Sequence, residues 1–152
     1  KKIESFVTQK LDVMYLIKAN EAIKLTLFDN ATSYLNEISS DASIQPEVEL
    51  ARDKLNALKR AQYLADRNHA RIRYGNDLEN QFLKNGMDVY VSVSGDNNNE
   101  LTLKYVLWSR PLILKYANEG KILQTAKSLG FKLITFTTGL SYAQYWEYTI
   151  NN

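Results

Sequence analysis

The sequence predicts an α+β protein: a long antiparallel α-helical hairpin over residues 1–86, then a small ββαββ domain over residues 87–152 with a mainly antiparallel sheet. Three observations carry this. Apolar residues recur at three- and four-residue steps from Ile3 to Ile38 and again from Ala51 to Ile72, the period of a helix with one buried stripe. The polar run Ser39-Ser40-Asp41-Ala42-Ser43, followed by Pro46, separates those two stretches. After Gly86 the apolar period falls to 2, as a half-buried strand requires.

The first helix is expected from Lys2 to about Ile38. Neither Pro nor Gly interrupts the run, so it reads as one rod about 55 Å long. Pro46 suits the first turn of the second helix, where its missing N–H costs nothing. Two such helices on a short link fold back on one another. A turn centred near Ala42 sets Phe28 beside Leu55, Ala19 beside Ala65 and Leu11 beside Ile72. The same register brings Lys18 to Asp66 and Asp12 to Arg71 or Arg73, so that charge meets opposite charge. Gly75 weakens the second helix and Asn76-Asp77-Leu78-Glu79 has the form of a capping box, so a kink or restart is expected there. Asn85-Gly86 is the stop.

Val89, Val91 and Val93 alternate with polar residues in a first strand, and Gly95-Asp96-Asn97-Asn98-Asn99 forms a turn. Leu101, Leu103, Tyr105 and Leu107 mark the second arm of a hairpin. Ser109 and Pro111 open a helix that breaks near Gly120 and ends at Gly130. Phe131–Thr138 and Tyr142–Ile150 are the last two strands.

Within this domain, the run LTLKYVLWSRPLILKYANEGKILQTAKSLGFKLITFTTG resembles the C-terminal module of certain uncharacterised bacterial proteins. A Ser-Arg-Pro helix start and a Leu-Gly-Phe-Lys link from helix to strand carry the likeness. It implies a bacterial protein, and no activity or site residue comes with it.

The composition, 45% hydrophobic and 24% charged, is that of an ordinary globular chain. A net charge of +2 is too mild to argue for a nucleic-acid or membrane partner. No apolar run reaches the roughly 18 residues of a membrane span. The absence of cysteine rules out disulfides, thiolate metal sites and a Cys nucleophile. The chain does not begin with Met, and its last third is rich in Tyr, Thr, Ser and Asn. Both features fit an extracytoplasmic protein of the bacterial envelope or exterior, held to a membrane only through an N-terminal anchor that this sequence lacks.

Catalytic signatures are absent: there is no Gly-x-Ser-x-Gly, phosphate-loop or dinucleotide fingerprint. His69, the lone histidine, is expected in a partly buried polar layer with Gln62 that fixes helix register. The Asn-rich turn lacks the spaced acidic ligands of a calcium loop. We therefore expect no enzyme activity, no cofactor and no metal.

Two surfaces remain. Seven Lys or Arg lie between Arg52 and Arg73, against Asp53 and Asp66. Arg60, Arg67 and Arg71 are spaced to project together, a candidate polyanion contact whose bland alternative is a solvated, ion-paired helix face. Tyr142, Tyr145 and Trp146 are candidates for contact with a protein or glycan partner, although Trp146 and Tyr148 are also expected to cover the core beside Trp108. Apolar residues off the hairpin seam, Val13, Leu16, Leu27, Leu50 and Leu64, point to self-association. The expected function is a structural or interaction protein, with the hairpin as spacer and oligomerisation element and the small domain as contact surface. Its rivals are a nucleic-acid or polyanion binder and a virion or appendage subunit.

Overall fold

The computed structural model describes the backbone of residues 2–40, 42–140 and 145–150, and side chains from Val7 onward within those ranges. The elements in order are α1 (Lys2–Lys24), α2 (Phe28–Asn36), α3 (Gln45–Lys84), β1 (Tyr90–Ser94), β2 (Glu100–Lys104), α4 (Arg110–Leu114), α5 (Ile122–Leu129), β3 (Leu133–Thr137) and β4 (Tyr145–Thr149). A short 3-10 turn, Asp96–Asn98, links β1 to β2, and a π-helical turn, Lys115–Glu119, follows α4. The protein is α+β, with helices preceding a small sheet domain. Two compact units divide the chain, Lys1–Tyr63 and Leu64–Asn152. The expected boundary at residue 86 separates helix from sheet by element type. By packing, the division falls inside α3, because Leu78 and Phe82 belong to the core that also buries the sheet.

In the helical unit the expected first rod is two helices. Leu27 N–H bonds back to the Ala22 carbonyl at 2.9 Å and Thr26 N–H to that of Ile23 at 3.2 Å. With Thr26 at φ +58°, this is a Schellman stop whose left-handed position is filled by threonine in place of the usual glycine. The chain then reverses. Ser39 N–H donates to Asp12 Oδ1 at 3.0 Å, Tyr15 stacks on Tyr34, and Lys18 Nζ sits 5.7 Å from the centre of the Tyr34 ring. Asp12, expected beside Arg71 or Arg73, thus takes the Ser39 N–H, and Lys18, expected beside Asp66, lies over the Tyr34 ring.

α3 packs on that pair through its first three turns. Ala19, Ala22, Ile23, Ala31, Leu35, Ile38, Val48, Ala51 and Leu55 form the core, and Phe28 packs on the same cluster that buries Leu55. The small alanines of α1 and α2 let those two helices approach closely. Arg52 donates from Nη2 to the Leu35 carbonyl at 2.7 Å, closing the open end of α2, and Lys59 Nζ reaches Thr32 Oγ1 at 2.9 Å.

In the sheet unit the strand order is β1-β2-β3-β4. β1–β2 and β3–β4 are antiparallel, while β2 and β3 run parallel because the α4–α5 segment carries the chain back between them. The period-2 pattern lays Val91, Leu103, Phe136 and Trp146 in one cross-strand row and Val93, Leu101, Ile134 and Tyr148 in the next, both on the covered face. Trp108 anchors this core: its ring packs edge-on to Phe136 with centroids 5.2 Å apart, and its Nε1–H donates to the Leu103 carbonyl at 3.1 Å. The expected kink at Gly75 does not occur, and α3 runs through it. A Cβ there would lie 2.7 Å from Val93 Cγ2, so glycine serves to let α3 approach β1.

Candidate interaction surfaces

Among the three arginines expected to project together, only Arg60 is exposed; Arg67 is half-buried and Arg71 buried. Arg71, 6% exposed, is a staple. It donates from Nε to the Leu129 carbonyl at 3.0 Å, from Nη2 to that of Gly130 at 2.8 Å, and from Nη1 to that of Asn97 at 2.7 Å. Its guanidinium also lies 5.9 Å from the centre of the Phe131 ring. One side chain thus ties α3 to the β1–β2 turn and to the α5–β3 link. Gly130 is cut to fit it: φ is +73°, and an added Cβ would stand 2.5 Å from Arg67 Nη2 and 3.0 Å from Arg71 Nη2. Arg67 adds a longer bond to the Ser128 carbonyl at the C-terminal end of α5. A guanidinium committed to three carbonyls is not presented to phosphate, so these residues do not form one open cationic face.

His69 and Gln62 are both exposed rather than in a partly buried layer, since they lie on the stretch of α3 between Leu55, the last residue of the helical core, and Leu78, the first buried apolar side chain of α3 in the core of the sheet unit. Leu58, Ala61, Ala65 and Ile72 are exposed in turn. Among the described residues, no three His, Asp or Glu side chains gather as metal ligands, and no helix is long and apolar enough to cross a membrane. Tyr74 lies beside Phe131; burial pushes its pKa up, and a hydrogen bond with Thr125 partly offsets this.

Among the aromatics expected at a partner surface, Tyr142 lies outside the described residues. Tyr145 is 64% exposed, and Trp146 is half-buried with one side on the core. The register explains the difference. Tyr145, Glu147 and Thr149 point to the open face of the sheet, and Trp146 and Tyr148 to the covered one. Tyr90, Lys104, Thr137 and Tyr145 form one row across the open face, and Ser92, Thr102, Thr135 and Glu147 the next. The sequence marked Tyr145 but not Tyr90 or Lys104, whose only signal was alternation with buried valines and leucines.

On α1, Asp12, Ala19, Ala22 and Ile23 are buried. Off that face, Val7, Leu11 and Met14 follow one line at helical spacing, with Val13 and Ile17 beside it, and all five are 42–54% exposed. Leu16 packs on its own core, whereas Leu27, Leu50 and Leu64 are exposed. Comparisons with known protein families, characterised proteins and solved structures give no match for this chain.

Proposed function

We propose that the chain is a non-enzymatic interaction protein of the bacterial envelope or exterior that self-associates through α1 and offers its sheet unit as the contact surface. The exposed α1 stripe carries this reading. Soluble proteins rarely leave five large apolar side chains contiguous on one helix face unless that face has a partner. A second copy suits it by pattern. Two α1 helices laid antiparallel set Met14 against the partner's Ile17, apolar against apolar. The division of the expected first rod at Thr26 removes the support for a 55 Å spacer, and the proposal keeps only the self-association.

Light scattering and sedimentation at tens of micromolar test the reading. The wild-type chain should run as an oligomer, and the double substitution Leu11→Glu, Met14→Glu should run as a monomer with its helical circular dichroism unchanged. A wild-type monomer at that concentration would refute the self-association.

A further inference from the structure

β4 is the last strand of the sheet, and its outer edge is open among the described residues. Two hydrogen bonds fix which of its backbone groups face outward. Tyr105 N–H donates to the Thr137 carbonyl at 2.9 Å, so Leu133, Thr135 and Thr137 address β2. Ile150 N–H donates to the Lys132 carbonyl at 2.8 Å, so Ile134 and Phe136 address β4 through Tyr148 and Trp146. The N–H and C=O groups of Tyr145, Glu147 and Thr149 therefore point away from the sheet.

Beside this edge lies a groove of about 460 Å³ between α4 and β4, lined by Arg110, Ile113, Leu114, Trp146, Glu147 and Tyr148. Its floor is apolar. Ile113 is buried, Trp146 and Tyr148 are half-buried, and Leu114 is 45% exposed. An open strand edge flanked by a helix and an apolar groove is the arrangement by which sheet proteins take up an extended peptide. The main chain supplies affinity and alternate side chains enter the groove.

Charge selects the occupant. Glu147 is exposed at the middle of the edge, and its cross-strand neighbour on β3 is Thr135, so no cation holds the position beside it in register. A second copy of β4 paired symmetrically about Glu147 would set two carboxylates opposite each other, which disfavours that pairing. We propose that the β4 edge and its groove bind an extended segment of a partner protein, added antiparallel as a fifth strand, with a basic side chain opposite Glu147 and apolar side chains on either side of it. The flanking apolar residues lie opposite Trp146 and Tyr148 and enter the groove. The basic residue lies over the open face.

This rests on the reading of the sheet unit as the contact surface, and not on self-association through α1. The test uses the full chain and fluorescein-labelled Ser-Thr-Val-Lys-Val-Thr-Ser, read by anisotropy. The expected result is saturable binding, at least fivefold weaker when Glu replaces Lys in the peptide. Methylation of the Lys amide nitrogen, which faces β4, should weaken binding at least tenfold, and methylation of the following Val amide should not. In the protein, Glu147→Pro removes an outward N–H that the β3 ladder does not use, and should abolish binding. Glu147→Lys, an exposed change that leaves the edge backbone intact, should reverse the preference between the two peptides. Absent binding, equal affinity for both peptides, or equal effects of the two methylations would overturn the proposal. So would a fall in oligomer mass on Glu147→Pro without peptide binding, which would assign the edge to a second copy. Light scattering on the same samples reports separately on α1.

Discussion

The two units solve the same problem, burial of enough apolar surface, with different means. The sheet unit is built on aromatics. Its core holds Phe82, Trp108, Phe131 and Phe136, and its long-range tie is the buried Arg71. The helical unit has a purely aliphatic buried core in which Ile23, Leu35, Ile38, Val48 and Leu55 are interspersed with Ala19, Ala22, Ala31 and Ala51, and the alanines remove little apolar area from water. Val7, Leu11, Met14 and Ile17 of the same unit stay outside. The comparison teaches that one unit gathers its large aromatic side chains into a core, whereas the other leaves an apolar stripe along α1 on its surface, the face that the proposed self-association would cover.

Both tryptophans, Trp108 and Trp146, lie in the sheet unit, so their fluorescence follows that unit alone while far-ultraviolet circular dichroism is weighted toward the helices. The two signals allow the comparison to be broken unit by unit. The largest effect is expected from Arg71→Ala, which strands three carbonyls and removes charge-assisted bonds that contribute about 1.5–3 kcal/mol each. Urea titration followed by tryptophan fluorescence should show a loss of at least about 3 kcal/mol. Arg71→Lys should recover little of it, because an ammonium cannot reproduce the planar fork. A loss below about 1 kcal/mol would mean that the staple is not structural.

A smaller change, of opposite sign, is expected in the helical unit. Thr26 holds a left-handed conformation that costs an L-residue with a Cβ roughly 1–2 kcal/mol. Thr26→Gly should relieve part of that cost and stabilise the unit by up to about 1 kcal/mol, net of the extra freedom glycine has when unfolded. The circular dichroism transition should move and the tryptophan transition should not. Destabilisation by Thr26→Gly would show that the hydroxyl contact with the Leu25 carbonyl outweighs the backbone strain.

The smallest effect is alkaline. Burial raises the Tyr74 pKa, so the folded state holds the phenolic proton more tightly than the unfolded chain does. This contribution is fully present below the usual phenol value of about 10 and is lost as pH rises through the raised folded value. Tyr74→Phe should flatten the stability profile of the sheet unit above about pH 10. An unchanged profile would place the alkaline sensitivity elsewhere.

These sites also mark what the sequence could and could not disclose. The sheet was legible because Val91, Leu103 and Ile134 alternate with polar residues in single-sided strands. The Pro111 helix start and the Gly130 stop were legible for the same local reason. The reversal at Thr26 was not, because its signal is a positive φ, and threonine does not announce one as glycine does. Arg71 resembled a surface cation, since the three acceptors that make it a staple are backbone carbonyls 26 to 59 residues away and carry no side-chain signature. The aromatic strand was visible at Tyr145 and Trp146, but its place at the sheet edge is a property of strand order, which depends on the whole domain.

The central claim is that α1 meets α1 in a second copy, and the absence of cysteine gives a direct measurement. A Met14→Cys variant treated with a short bis-maleimide should form a covalent dimer within minutes at micromolar concentration. An Asp29→Cys variant, with its thiol on an exposed position of α2, should not. Equal cross-linking of both variants, or none at Met14→Cys in a sample that scatters as an oligomer, would contradict an interface built on α1.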